Sequence, residues 1–437
     1  MKKDSALYSW AGNIYSLMSG HVPGQLVVQI TDSCNAACPQ CAMNRSREYK
    51  RSKLDIGEIK SIIDTAAVRE IKSISFTGGE PFLYYPDLVE AIAYANKKGI
   101  VYTRTGTNAF FLMNSEKSDF PKRIRKMATE LRDSGLRNLW ISIDSADPWL
   151  HERMRGLTGV IEGIRKALPI FHREGLYPAA NLGLNRNLGG YCGELEEPGK
   201  VSGDKFYRAM CNGLRAFFSL VLNLGFTMAN VCYPMSISEE NGERLTAVYG
   251  AGSSSPLVDF PAEDKVLLFR ALLRVIPEYR HKLRIFTPLS SVYALQRQHS
   301  GERAYSYPCR GGIDFFYIEA RSDHVFPCGY RGEEDLGSWA DMDWLNRTKS
   351  SDCRLCDWEC FRDPSELAGP VNHILFTPWG TIKKLDRDRH YLHLWLEDLR
   401  YYRACRLFDG TLPADLSRLA EFEKAVKPGS MTWSEMD

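Results

Sequence analysis

Between residues 26 and 287 the chain alternates short, β-branched apolar runs with longer stretches whose apolar positions recur every three to four residues. Each kind of run predicts its own element. LVVQIT (26–31), SISFT (73–77), VYTRTG (101–106), NLWISID (138–144), AANLGL (179–184) and TMANVCY (227–233) read as strands. Helices are predicted at about 55–68, from Tyr85–Asp87 onward, at about 117–134, through GVIEGIRKALPIFHREG, near 204–224 and around 263–280. Pro86 suits a first helical position, and Pro169 marks a point where its helix could kink. Strands alternating with helices imply a parallel sheet. Six such units fall short of the eight of a closed barrel, so the expected fold class is α/β, a partial (βα)6 barrel with its chemistry at the C-terminal strand ends.

Around this core (26–287) the pattern changes. Residues 236–260, rich in Ser and Gly, read as a loop or linker. Residues 305–363 form a short cysteine-rich unit, and 364–437 a charged, aromatic-rich tail, helical from about 386. Residues 1–25 read as an amphipathic segment that packs on the protein. Leu7, Tyr8, Trp10, Ile14, Tyr15 and Leu17 could share a face, so a peripheral membrane contact is the sharper alternative.

Composition narrows the classes. Of 437 residues 44% are hydrophobic and 25% charged, which is ordinary for a globular protein. A net charge of +2 with no long basic run gives no footprint for nucleic acid. No apolar stretch approaches a membrane span, and the N-terminus lacks the continuous apolar middle of a secretion signal. The expected location is therefore cytoplasmic, where scattered disulfides are not maintained.

In that setting twelve cysteines need another explanation. Eight fall into two groups: Cys34, Cys38 and Cys41, then Cys309, Cys328, Cys353, Cys356 and Cys360. Grouped cysteines in a reducing compartment point to metal. The first group, C-x3-C-x2-C, follows the first strand directly and suits one cubane cluster held from a single loop. A zinc site with a distant fourth ligand is the alternative. Three cysteines are one short of the usual four for such a cluster.

At these residues the sequence resembles the radical SAM superfamily, whose signature C-x3-C-x2-C stands here as Cys34, Cys38 and Cys41. FTGGEP (76–81) after the second strand resembles that family's GGE motif. The resemblance spans about 26–287 and implies a 4Fe–4S cluster whose open iron takes S-adenosylmethionine (SAM) as its fourth ligand. Gly78 and Gly79 would let the backbone approach SAM, and Glu80 would accept from its ammonium. Thr107 and Asn108 could bond the methionine moiety, Ser142 and Asp144 the ribose hydroxyls. Arg155, one helical turn from His151, could meet the SAM carboxylate; otherwise it is a solvated helix charge. Gln40 stands where the family usually has an aromatic residue and could hydrogen-bond the adenine.

The second cysteine group, with HVFPC (324–328) as a hairpin end, resembles the SPASM/twitch extensions of radical SAM enzymes. Asp323 replaces a common glycine, and the full seven-cysteine set is incomplete. The resemblance implies one auxiliary 4Fe–4S cluster on Cys309, Cys328 and two of Cys353, Cys356 and Cys360, with a structural zinc as the alternative and Cys405 as an outside ligand candidate. Cys192 could face the radical site. The implied activity is hydrogen abstraction from a substrate carbon, supplied with electrons by a reductant such as flavodoxin or ferredoxin. A peptide or protein side chain is the first expected substrate, although the roughly 25 residues before the first strand leave no room for a leader-binding module. A small metabolite or a lipid comes next, and a non-catalytic iron–sulfur electron carrier is the rival from another class.

Overall fold

The computed structural model describes residues 20–41, 51–190, 201, 203–234, 255–302, 306–344 and 351–423. Most of the expected N-terminal amphipathic segment, most of the Ser/Gly-rich stretch and Cys192 lie outside them.

One nine-stranded sheet organises the chain, in the order β7-β6-β5-β4-β3-β2-β1-β8-β9. β1 (Gly24–Thr31), β2 (Ile71–Gly78), β3 (Tyr102–Thr107), β4 (Asn138–Ser142), β5 (Ala179–Gly183) and β6 (Met228–Cys232) are the six predicted strands, all parallel. The helices between them are α1 (Ile56–Val68), α2 (Tyr85–Lys97), α3 (Phe120–Asp133), α4 (Pro148–Arg155), α5 (Val160–Arg173), α6 (Gly203–Leu224) and α7 (Ala262–Tyr279). The expected fold class holds. α1 begins in a capping box, Asp55 accepting from Glu58 N–H while the Glu58 carboxylate accepts from Asp55 N–H. Its Ile59, Ile62, Ile63 and Ala66 are buried. α5 runs unbroken through Pro169.

Three features extend the pattern. A two-residue strand, β7 (Arg284–Ile285), adds to β6, too short to leave a periodic signal. The fully buried run FFYI becomes β8 (Phe315–Ile318) and pairs in parallel with β1, carrying β9 (Val325–Phe326) as a hairpin partner. α8 (Leu289–His299) follows β7.

Helix also starts earlier than expected beyond the cysteine-rich unit. α9 (Glu359–Phe376) opens beside Cys360 and is followed by α10 (Pro378–Arg387) and α11 (Arg389–Ala404). α9 contains Pro364 and Pro370, residues that ordinarily break a helix interior. Proline 364 cannot donate to the carbonyl four residues back, and the Gln25 amide donates to the Cys360 carbonyl instead, at 3.2 Å. Among the described residues no helix is long and apolar enough to cross a membrane.

Candidate active site

The loop after β1 and the loop after β2 are locked together by their backbones. Gly79 N–H donates to Thr31 O and Glu80 N–H to Ser33 O, both at 2.8 Å. A Cβ on Gly79 would lie 2.1 Å from Ser33 O, and one on Gly78 2.3 Å from Thr31 O. Both glycines are thus required by close backbone approach. The cysteine loop is also tied to α4, where Arg155 O accepts from Ala37 N–H at 2.9 Å.

Glu80 is buried behind this junction. Its Oε1 accepts from Thr107 Oγ1 (2.8 Å) and Phe82 N–H (3.1 Å), its Oε2 from Asn108 N–H (2.6 Å). Thr107 and Asn108 therefore orient Glu80, and the Asn108 amide also donates to Asn35 of the cysteine loop at 2.9 Å. Burial outweighs these donors and pushes the Glu80 carboxyl up to about 7.

Arg155 is not solvated. It is buried and grips Asp144 in a two-point ion pair, Nε to Oδ2 at 2.8 Å and Nη2 to Oδ1 at 3.0 Å. Gln40 Nε2 also donates to Asp144 Oδ2 at 2.8 Å, so both carboxylate oxygens are occupied. Burial works against the ionised Asp144, but Arg155 holds it below the usual range. His151 is fully buried, its Nδ1 accepting from Asp144 N–H at 3.1 Å, and burial drives it down to about 4. It is neutral and fixes the Asp144 backbone. Among the described residues the buried Gln40 carbonyl oxygen has no hydrogen-bond partner, and as an acceptor it suits an amine such as adenine's.

These groups open onto one cavity of about 300 Å³, which Ser142 also lines. Its far wall is built from Cys360, expected as a cluster ligand, and from residues that sequence reasoning passed over: Arg104, Trp140, Cys232 and Glu359. Cys232 ends β6, its thiol donating to Asn181 Oδ1 at 3.3 Å, and Cys360 donates to Glu359 Oε2 at 3.4 Å. Polar residues inside otherwise apolar central strands were the signal that could have exposed this wall.

A radical SAM superfamily profile matches residues 28–192. An AdoMet-dependent heme synthase of Nitratidesulfovibrio vulgaris is 30% identical over 312 residues, 71% of this chain and 74% of that one. The chain belongs to the radical SAM superfamily. A second protein of the same description, from Oleidesulfovibrio alaskensis, is 25% identical over 85% of this chain and 86% of its own. A GTP 3',8-cyclase of Tolumonas auensis is 30% identical over 148 residues, 32% of this chain and 40% of that one. The protein is thus a radical SAM enzyme, and the family implies a 4Fe–4S cluster and bound SAM.

The residues present fit those groups. Ala36 N–H donates to Cys34 Sγ at 3.4 Å, and Arg155 places positive charge beside Cys34 and Cys38. Burial pushes the Cys38 thiol up to about 12, an environment in which thiolate forms when a metal supplies the opposing charge. When bound, cluster and SAM supply a 5′-deoxyadenosyl radical to the cavity.

The second cysteine group divides. Cys309, Cys328, Cys353 and Cys356 act electrostatically on one another, and burial followed by these neighbours raises Cys309 and Cys356 and takes Cys328 to about 12. Gly311 N–H donates to Cys309 Sγ and Tyr330 N–H to Cys328 Sγ, each at 3.4 Å, as donors to cluster thiolates do. Among the described residues no three His, Cys, Asp or Glu side chains close on one point as ligands of a single ion would.

Cys360 is turned away, toward Glu359, Arg104 and the cavity. Cys405 sits elsewhere, packed with Trp140, Tyr401 and Phe408 beneath β5 and β6, so it does not join the ligand set.

Proposed function

We propose that this radical SAM enzyme takes a hydrogen atom from a carbon of a small organic substrate held between the SAM loops and the wall formed by Glu359 and Cys360. Cys34, Cys38 and Cys41 hold the SAM-binding cluster, and Glu80 receives the ammonium of SAM. Gln40 meets the adenine. Ser142 contacts the ribose, and Arg155 with Asp144 borders it. Cys309, Cys328, Cys353 and Cys356 hold one auxiliary 4Fe–4S cluster, which accepts the electron left on the substrate. A small iron–sulfur or flavin protein such as ferredoxin or flavodoxin supplies the first electron.

The observation that carries this reading is the single cavity lined both by Cys34, Cys38, Cys41 and Glu80 and by Glu359 and Cys360 at the start of α9. Trp358 also lines this cavity and packs in the apolar cluster that holds Cys309 and Cys328, so a substrate there would have one side-chain layer between it and the electron acceptor, which favours net oxidation. A heme precursor is the first candidate, because relatives described as heme synthases align over most of both chains. A peptide side chain is the second reading, with less support.

The test is anaerobic turnover with SAM and dithionite against a panel of porphyrin carboxylic acids and short peptides. A porphyrin should stimulate 5′-deoxyadenosine formation and, when deuterated, pass deuterium into it. Stimulation by peptides alone would replace the substrate class.

A further inference from the structure

Among the buried positions of β3 one carries a full charge. Arg104 stands mid-strand, paired in register with Ser75 of β2 and Asn138 of β4, and is only 5% exposed. The residue lines the cavity, and its guanidinium lies 4.9 Å from the centroid of the Trp140 ring. Among the described residues its Nε and Nη2 are buried without a hydrogen-bond partner, and it forms no ion pair. Glu359 is the nearby acidic group, but its oxygens are engaged by the Asn230 amide at 3.2 Å and the Cys360 thiol at 3.4 Å. Burying a guanidinium unpaired is strongly unfavourable, and a bound anion would offset that cost.

We infer that Arg104 anchors a carboxylate of the substrate at the floor of the cavity. This rests on the proposed reading of the cavity as the substrate site. Nε and Nη2 form one edge of the guanidinium fork, whose two parallel N–H groups match the two oxygens of a carboxylate. The Trp140 face supports the cation and offers apolar surface to the rest of the substrate. SAM carries a carboxylate too. However, Glu80 is held by Thr107 and Asn108, three residues and about 10 Å further along the strand than Arg104. The floor position therefore serves the substrate.

The test uses acetate and propionate as probes on the cluster-loaded full chain, at constant ionic strength against chloride. The melting temperature of the parental protein should rise with either carboxylate. Arg104→Met should abolish that response while SAM affinity stays within twofold. Arg104→Lys keeps the charge without the fork and should need at least tenfold more carboxylate for the same shift; it also serves if the methionine variant does not fold. A parental protein that ignores carboxylates, or variants that respond as it does, would overturn the assignment. A tenfold or greater loss of SAM affinity in Arg104→Met would assign the anchor to SAM instead. Failure to cleave SAM would sink the radical reading of the cavity without altering this thermal response, so the two failures are distinguishable.

Discussion

Replacing Glu80 with glutamine probes the SAM cradle at its most constrained point. Three donors converge on the carboxylate, two on Oε1 and one on Oε2. Glutamine preserves shape and removes charge, but either orientation of the amide sets its N–H2 group against a backbone donor, Phe82 N–H or Asn108 N–H. The lost charge-assisted bond to the SAM ammonium is worth about 1.5–3 kcal/mol, or roughly 10- to 150-fold in affinity. The pH dependence is the sharper signature. Only the ionised carboxylate pairs with an ammonium, and burial holds this one at about 7. Parental SAM affinity should therefore climb about tenfold per pH unit below 7 and level off above it. Without SAM the sign for stability is opposite. The folded state keeps its proton between 4.5 and about 7 while the unfolded chain loses it, so this group costs about 3 kcal/mol by neutral pH and nothing at pH 4. Glu80→Gln carries no such cost, and above pH 7 its melting temperature should not fall by the full worth of an unmet donor. Equilibrium dialysis of SAM at pH 6, 7 and 8, with iron content as control, reads the effect. Parental affinity in the variant, or a retained pH slope, would refute the role.

Other residues give independent checks. Cys309→Ala with Cys328→Ala should halve the iron while uncoupled 5′-deoxyadenosine formation persists; Cys360→Ser should keep full iron, and iron loss in Cys360→Ser would return that residue to the ligand set. Asp144→Ala strands the buried Arg155 guanidinium and should cost about 3–5 kcal/mol, read as a lower denaturation midpoint; a midpoint within error of the parental one would contradict the buried pair. Gly79→Ala forces a Cβ into Ser33 O and should lower both iron retention and SAM affinity, measured by iron assay and dialysis.

The six strands and their helices were legible because each buries a face and so carries a period. β7 was too short to show one, and β8 became visible only when its four buried residues met β1. The cysteine loop and Gly78–Glu80 were readable because their function depends on local spacing. The opposite wall was not, since Arg104, Cys232 and Cys360 come from β3, β6 and α9 and meet only in the folded chain. Arg155 and Asp144 were singled out from sequence, but their mutual two-point pairing was not foreseen, because eleven residues and a strand-to-helix turn separate them. In VYTRTG the arginine was itself the clue: a central parallel strand, covered on both faces, has no solvent for a charge.

The measurement that bears most directly on the whole account is SAM cleavage by the protein lacking its first three cysteines. With Cys34, Cys38 and Cys41 all changed to alanine, the anaerobically reconstituted protein should keep about half its iron, in the auxiliary site, and release no 5′-deoxyadenosine with SAM and dithionite, while the parental protein releases it together with methionine. Continued SAM cleavage by the triple variant would contradict the placement of the radical source at the mouth of β1.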